Sequence, residues 1–262
     1  MSYNSLYNLI GINAEVNRLQ KQVSLGWEKE FRTLRWLGLE DGMRILDVGA
    51  GPGIFTERLL ENLPNCTVTL LEPEHGFVEI AQENLSKYGN RVEIKEQSIY
   101  KNDLENNYFD FVISRFVFQH LDDPVLASKE IYRLLRTGGI VAIIDSDRGM
   151  SGVREPDVLK NERNILGRIE KKTRWNREMG RRLLRVLKAS GFNDLDFEVV
   201  AIHSDIVGVS NMVGDFKIGN EDIINIARIN PKLGQMLKRS KEMVTSQNTI
   251  IIILNLIAKG VK

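Results

Sequence analysis

The sequence has little of several features that would place it in a specialised class. Cys66 is the one cysteine in 262 residues, which excludes an intramolecular disulfide and a cysteine metal cluster and fits a reducing compartment such as the cytoplasm. Lysine and arginine number 36 against 35 aspartate and glutamate, so no net charge favours nucleic acid, an anionic membrane or an acidic substrate. Any partner must therefore be inferred from local features.

Long apolar runs are missing as well. The most apolar stretch, TIIIILNLIA from Thr249 to Ala258, is far shorter than the roughly 20 residues that cross a bilayer. The first twenty residues mix polar side chains throughout and lack the basic start and apolar centre of a signal peptide. We expect a cytoplasmic protein with no membrane partner, in which the run from Thr249 is a buried strand.

From residue 43 onwards, short β-type runs alternate with helix-type patterns. The runs RILDV, TVTLLE, VEIKE, FDFVIS and IVAIIDSD predict five strands. The segments between them place apolar residues three and four apart, which predicts helices with one face on the sheet. Asp123 before Pro124 predicts a helix start, and Gly138 with Gly139 predicts the end of that helix. The alternation is typical of a doubly wound α/β fold.

Three regions follow from these patterns. Residues 1–40 have apolar residues at helical spacing and predict an N-terminal helical cap segment. Residues 41–204 and 247–262 predict the α/β core, with LDFEVVAIH as its sixth strand and the run from Thr249 as its seventh. Residues 205–246 separate those two strands by much more than a hairpin loop, contain helical patterns, and predict a helical lid insertion.

The stretch LDVGAGPG, Leu46 to Gly53, places a glycine-rich turn directly after an apolar strand. Such a turn brings backbone N–H groups and a helix N-terminus to the carboxyl edge of the sheet, where α/β proteins bind nucleotide-like cofactors. The dinucleotide fingerprint needs a third glycine where this chain has Ile54, which counts against NAD. The Lys-Ser/Thr ending of a phosphate-binding loop is also missing, which counts against ATP and GTP.

Two acidic residues indicate the charge of the ligand. Asp47 lies inside the apolar run before the turn, where a carboxylate would repel a pyrophosphate but suits a cofactor with a cationic or ammonium group. Glu72 ends the next strand and is placed to accept hydrogen bonds from ribose hydroxyls. A cofactor that is both cationic and ribose-bearing is S-adenosyl-L-methionine.

On these residues the sequence resembles the class I S-adenosylmethionine-dependent methyltransferases. The stretches FDFVISRFVFQHLDDP and IYRLLRTGGIVAIIDSD, in order after LDVGAGPG and Glu72, are similar to the small-molecule branch of that family. The resemblance implies a seven-stranded Rossmann-like sheet of order 3-2-1-4-5-7-6 with the last strand antiparallel. It also implies S-adenosyl-L-methionine as cofactor and S-adenosyl-L-homocysteine as product.

The resemblance further implies which residues contact the cofactor. The glycine turn would surround its methionine part with Asp47 behind, Glu72 would hold the ribose, and Gln97 or Ser98 would lie near the adenine, where the family often has an acidic residue. The full implied set is Gln22, Asp47, Gly49, Ala50, Gly51, Gly53, Glu72, Gln97, Ser98, Ser114, Arg115 and Phe116. Gln22 belongs to the stretch EVNRLQKQ, which resembles a first helix that closes over the cofactor.

Methyl transfer is an in-line displacement that needs mainly alignment and exclusion of water, with a general base where the acceptor is a hydroxyl or an acidic carbon. His120 follows the fourth strand and is our candidate for a catalytic base or substrate-orienting group, with a purely structural role as the alternative. Asp145 and Asp147 end the fifth strand and are candidates for substrate binding or for capping the next segment. We predict no metal, because the further Asp-Asn pair of the metal-dependent branch is missing.

The leading interpretation is an enzyme that methylates O, N or C of a small molecule, a biosynthetic intermediate or secondary metabolite. The basic stretch from Arg148 to Lys188, with Trp175, is by default a solvated face, and the motifs of nucleic-acid methyltransferases are missing, so a nucleic-acid partner is disfavoured. The alternative is a methyltransferase-fold protein that binds the cofactor but catalyses cyclisation or serves as a binding module. A monomer and a homodimer both stay open.

Overall fold

A computed structural model describes residues 11–147, 149, 154–155, 176, 178–213 and 248–262, with single positions between 224 and 242. The chain forms two compact units. The first comprises Met1–Met150, Arg174–Val200 and Asn255–Lys262, and the second comprises Ser151–Thr173 and Ala201–Leu254. Every candidate site residue named above belongs to the first unit.

Strands and helices alternate along most of the described residues, as the sequence predicts. The strands are β1 (Arg44–Val48), β2 (Thr67–Leu71), β3 (Val92–Lys95), β4 (Phe109–Arg115), β5 (Leu135–Ser146), β6 (Arg154–Glu155), β7 (Asn193–His203) and β8 (Ile250–Val261). The helices are α1 (Ile12–Trp36), α2 (Ile54–Asn62), α3 (His75–Leu85), α4 (Pro124–Leu134), α5 (Leu183–Ala189), α6 (Ser204–Val207) and α7 (Val209–Val213). Short 3₁₀ turns lie at Ser86–Arg91, Phe118–His120 and Gly180–Arg182.

The sheet has the order β3-β2-β1-β4-β5-β8-β6, and β7 pairs with β8. Strands β1 to β5 are parallel to one another, and β8 runs antiparallel to β5, with Val261 opposite Ile140. Because β7 and β8 are the predicted sixth and seventh strands, the predicted order 3-2-1-4-5-7-6 with an antiparallel last strand is confirmed. The two-residue strand β6, which pairs with the start of β8, was not predicted because a run so short has no periodicity.

The central strands are apolar along nearly their whole length because helices cover both faces of the sheet. Ile45 and Leu46 of β1 and Val112 of β4 are completely buried. Each such side chain contributes roughly 1.5–3 kcal/mol relative to exposure. This rigid sheet holds the ends of β1, β2, β4 and β5, and the turns that follow them, in fixed positions.

Helix α4 confirms its predicted start and corrects its predicted end. The Asp123 side chain accepts a hydrogen bond from the backbone N–H of Leu126 at 2.9 Å, with proline at the first helical position. The helix ends at Leu134 and β5 begins at Leu135, so Gly138 and Gly139 lie inside the strand and the prediction that they end the helix is wrong. A Cβ on Gly139 would lie 2.8 Å from the carbonyl oxygen of Arg136, which gives this glycine a packing reason instead.

The N-terminal pattern does form a helix, α1, which buries Val23, Trp27 and Leu34 and stacks Trp27 on Phe31 at 4.9 Å. Of the predicted insertion 205–246, the structure describes the short helices α6 and α7 and single helical positions, and the rest lies outside the described residues. Most of the basic stretch 148–188, with Trp175, also lies outside them. In the described parts of the chain, no helix is both long and apolar enough to cross a membrane.

Candidate cofactor site

The glycine turn joins β1 to α2 through three left-handed residues. The φ angles of Gly49, Gly51 and Gly53 are 70°, 56° and 76°, a region that side chains rarely adopt. The N–H of Gly49 bonds to the carbonyl of Leu71 at 2.7 Å, which fixes the turn against the end of β2. All three glycines are therefore required by backbone conformation.

The three glycines differ in what surrounds the position that a side chain would occupy. A Cβ on Gly49 would lie 2.5 Å from Val117, and one on Gly53 would lie 2.8 Å from Leu85, so both positions are filled by the protein itself. At Gly51 the nearest atom is Cδ1 of Leu19, at 3.9 Å. Gly51 is thus the glycine of this turn that a ligand can approach, a distinction that sequence reasoning did not make.

Glu72 is anchored on the turn by its carboxylate. One oxygen, Oε2, accepts a hydrogen bond from the N–H of Gly51 at 2.9 Å, and Oε1 accepts one from the N–H of Glu74 at 3.0 Å. Burial raises the pKa of Glu72 to about 7, although both N–H groups act to lower it. Each oxygen keeps a further lone pair. The carboxylate is therefore oriented to accept additional hydrogen bonds next to Gly51.

Asp47 lies behind the turn and is almost completely buried. Its Oδ2 accepts a hydrogen bond from the hydroxyl of Thr56 at 2.7 Å. Burial raises the pKa of Asp47 to about 6, while Thr56 and the charge of Arg115 act to lower it. Two carboxyl groups with raised pKa values, Asp47 and Glu72, thus flank the turn, an arrangement that a cationic ligand would stabilise in its ionised form.

Arg115, the last residue of β4, is held by a buried acid that sequence reasoning missed. Its Nε and Nη2 donate to Glu30 of α1 at 2.8 and 3.3 Å, and Nη2 also donates to the backbone carbonyl of Gln22 at 3.1 Å. Glu30 further accepts a hydrogen bond from Asn255 of β8 at 2.6 Å. The sequence signal for burial of Glu30 is its spacing, three residues after Trp27 on the same helical stripe, and the structure shows it fully buried.

The turn after β4 contains a strained residue. Phe116 has a φ of 58°, which costs of order 1 kcal/mol or more for a side chain of this size, and its N–H donates to the carbonyl of Ile144 at 2.7 Å. The N–H of Gln119 donates to Asp145 at 2.9 Å, and the N–H of His120 donates to the carbonyl of Val117 at 2.8 Å. His120, the candidate base, is half-buried. It lies on a turn that the bonds from Phe116 and Gln119 hold against the end of β5.

The remaining predicted residues of β4 and β5 make contacts within the protein. The hydroxyl of Ser114 donates to the carbonyl of Val48 at 3.3 Å. Asp145 is fully buried and accepts N–H bonds from Gln119 and Ser146. Asp147 is also fully buried and accepts two side-chain bonds from Arg181, at 2.7 and 2.6 Å. Both aspartates thus make contacts of the capping kind that was the alternative to substrate binding.

Electrostatics agree with a structural pairing of Asp147. Burial acts to raise the pKa of Asp147, but hydrogen bonds from Arg181 keep that pKa below its usual value. The N–H groups of Arg181 and Gly149 also donate to the carboxylate, at 3.1 and 2.9 Å. Within the described residues, no group of three or more histidine, cysteine, aspartate and glutamate side chains could hold a metal ion.

Gln97 and Ser98 lie in the turn after β3, at the same edge of the sheet. The side-chain oxygen of Gln97 accepts the N–H of Asp103 at 3.1 Å, and the hydroxyl of Ser98 accepts the N–H of Tyr100 at 3.2 Å. Next to them, the His75 ring bonds to Glu96 at 3.0 Å and so connects the start of α3 to this turn. The structure thus brings the turns after β1, β2, β3 and β4 together at one edge.

Comparison with known proteins shows that the part of the sequence that forms this site matches a family. Residues 46–143, from β1 into β5, match the family described as a methyltransferase domain. An uncharacterized methyltransferase of Schizosaccharomyces pombe is 36% identical over 111 residues, which are 40% of this chain and 40% of that protein. Malonyl-[acyl-carrier protein] O-methyltransferase 1 of Ilyobacter polytropus is 34% identical over 109 residues, 40% of this chain and 38% of that protein. The chain therefore matches about two fifths of the length of these relatives.

A solved structure shares the fold. Phosphoethanolamine N-methyltransferase 2 of Haemonchus contortus, in complex with S-adenosyl-L-methionine, superposes with a TM-score of 0.59 at 19% identity, covering 90% of this chain and 53% of that chain. The sheet order and the glycine turn define the class of the protein as a Rossmann-like cofactor-binding fold. Residues 46–143 of this fold match the methyltransferase domain family.

Proposed function

We propose that the protein transfers the methyl group of S-adenosyl-L-methionine to an oxygen, nitrogen or carbon atom of a small molecule, with S-adenosyl-L-homocysteine as the product. The observation that carries this proposal is the bond between Glu72 and the N–H of Gly51, at 2.9 Å. It places an oriented carboxylate beside the glycine of the turn that leaves room for a ligand. This arrangement suits a ligand whose ribose bonds to Glu72 while another part of it lies against the backbone of Gly51.

The residues of the first unit fit the parts of this cofactor. Glu72 would accept the ribose hydroxyls, the backbone around Gly51 would contact the methionine part, and Asp47 behind the turn would supply negative charge toward its cationic groups. Gln97 and Ser98 would lie toward the adenine. When bound, the cofactor supplies a methyl group on a positively charged sulfur.

The chain itself contributes alignment and exclusion of water. Helix α1 passes over the turn, since Leu19 lies nearest to Gly51 and a Cβ on Gly76 would lie 2.8 Å from Ile12. We propose that α1 is the cap of the cofactor site. For a hydroxyl or acidic-carbon substrate, His120 would accept the proton, whereas a neutral amine would need no base.

The names of similar proteins supply the first members of a substrate panel. The Ilyobacter relative acts on malonyl-acyl carrier protein and the Haemonchus protein on phosphoethanolamine, which are an oxygen and a nitrogen acceptor. Neither acceptor is a nucleic acid: phosphoethanolamine is a small metabolite, and the malonyl group is a small acyl group attached to a carrier protein. We propose substrates of that kind for this chain, with Asp145 and Asp147 shaping the site through the backbone they hold.

The test is turnover of S-adenosyl-L-methionine. The purified protein is incubated with the cofactor and each member of a panel of carboxylates, phenols, amines and activated carbon acids, and release of S-adenosyl-L-homocysteine is measured by mass spectrometry. Release with at least one acceptor, lost in Glu72→Ala, is the expected result. Tight cofactor binding with no release on any acceptor would favour the alternative, a cyclase or binding module that uses the same fold.

A further inference from the structure

Glu30 is a fully buried acid, and the residues around it provide both hydrogen-bond partners and space for its carboxylate. Its carboxylate bonds to Arg115 and Asn255, and a Cβ on Gly26 would lie 2.5 Å from its Oε1. Burying an ion pair is costly in desolvation, and apolar residues of similar size often stabilise a core as well or better. The Glu30–Arg115 pair therefore contributes little to stability. Its location next to the cofactor site indicates a role in ligand binding instead.

The positive charge that Glu30 meets lies at the glycine turn. Arg115 follows Ser114, which is opposite Val48 at the end of β1. Its guanidinium carbon is 5.5 Å from the ring centroid of Phe55, in the first turn of α2. Burial raises the pKa of Asp47, and the charge of Arg115 acts in the opposite direction, so Asp47 and Arg115 interact electrostatically.

This location matters because the reactive sulfur of the proposed cofactor is itself a cation. The N-terminus of α2 already presents partial positive charge at the turn. An arginine without a counter-charge there would oppose the sulfonium and favour the neutral thioether product. Asp47 alone, with a raised pKa and a bond to Thr56, would have to balance both positive charges.

We infer that Glu30 is a positioning residue that neutralises and fixes Arg115, so that the site favours the sulfonium cofactor over its neutral product. The inference rests on the proposed function, because it takes S-adenosyl-L-methionine as the ligand. Glu30 acts through Arg115 and touches neither ligand. Its effect is a preference between two ligands rather than tight binding of either.

S-adenosyl-L-methionine and S-adenosyl-L-homocysteine differ by one methyl group and one positive charge at sulfur, so the ratio of their dissociation constants isolates the electrostatic effect. In Glu30→Gln, isothermal titration should show the ratio of product Kd to cofactor Kd falling by about three- to tenfold, as expected for one uncompensated charge in a partly screened site. In Arg115→Gln, which leaves Glu30 without its cation, the ratio should rise instead. The double variant should return toward the unmodified ratio.

Asp110→Asn is the matched control. Asp110 lies near the opposite end of β4 and pairs with Arg44 at 3.1 Å and with Arg136. Its loss removes two partly buried ion pairs from the same strand at the other edge of the sheet. The ratio of the two dissociation constants should not change, even if thermal stability falls.

The outcomes separate cleanly. If Glu30→Gln weakens both ligands by the same factor, or if Arg115→Gln shifts the ratio in the same direction as Glu30→Gln, the inference is overturned and Glu30 is a structural residue. Should Glu30→Gln fail to fold, the sign of the shift in Arg115→Gln decides alone. If the unmodified protein binds neither ligand, the proposed function itself fails, and the inference falls with it.

Discussion

The carboxylate of Glu72 accepts the backbone N–H of Gly51 at 2.9 Å, and with the bond from Gly49 to Leu71 it joins the end of β2 to the glycine turn after β1. The carboxylate of Glu72 and the glycine turn are therefore held in fixed positions relative to each other. Because Glu72 is buried with a pKa of about 7, its charge is poorly stabilised until a ligand adds hydrogen bonds to it. The site is built to gain from a hydroxyl-bearing ligand.

Glu72→Ala should weaken binding of S-adenosyl-L-methionine by at least about tenfold, since a hydrogen bond to a charged group is worth roughly 1.5–3 kcal/mol. The measurement is isothermal titration. Glu83→Ala, which removes an exposed carboxylate from α3, the helix that follows Glu72, is the control and should bind normally. Unchanged affinity in Glu72→Ala would remove the ribose assignment.

Gly51→Ala should abolish cofactor binding while the fold persists by circular dichroism, because a side chain would occupy the one approach to the turn. Gly42→Ala is the control, since Gly42 also has a positive φ, 85°, with nothing within 4 Å, but precedes β1 at its other end. Both variants should lose a similar amount of stability, about 1–2 kcal/mol for a left-handed alanine. Equal cofactor binding in the two variants would contradict the close approach at Gly51.

His120→Ala should lower turnover of a hydroxyl or carbon-acid substrate by about a hundredfold or more, the usual contribution of general base catalysis, with little effect on the cofactor Kd. Steady-state kinetics and titration on the same preparation measure the two effects separately. For an amine substrate the loss should be small. A turnover that does not change with a hydroxyl substrate would leave His120 with a structural role only.

Cofactor affinity should rise with pH from about pH 5 and level off above about pH 7.5. Ligand hydrogen bonds favour the ionised carboxylates, whereas the free protein holds protons on Asp47 and Glu72 up to pKa values of about 6 and about 7. Titration in buffers of different ionisation enthalpy should show proton release on binding near pH 6. Binding without proton release would mean that neither group is involved.

The stability of the ligand-free protein should depend on pH in the opposite sense. A carboxyl whose folded pKa is raised favours the folded state less as pH climbs from its unfolded pKa, 4.5 for Glu72, to about 7. The free energy of unfolding should therefore decrease across that window, by on the order of 3 kcal/mol for Glu72 alone. In Glu72→Gln, urea melts should show a smaller decrease, and an identical pH dependence would argue against the raised pKa.

Local patterns predicted the parts of the site that are close in sequence. The glycine turn directly follows β1, and Glu72 directly follows β2, so strand periodicity sufficed to place both. Glu30 was missed because its partner Arg115 is 85 residues away, and no local pattern reveals a pairing of that kind. Asp147 was a candidate for substrate binding or for capping, and its bond to Arg181, 34 residues later, becomes apparent only in the folded chain.

The most direct test is parallel isothermal titration of the unmodified protein with S-adenosyl-L-methionine, S-adenosyl-L-homocysteine and NAD. The geometry of Glu72 and Gly51 predicts micromolar binding of the first two ligands. Ile54, in place of the third glycine of the dinucleotide fingerprint, predicts no binding of NAD. Binding of NAD alone, or of none of the three, would contradict the proposed function and leave the fold as the established result.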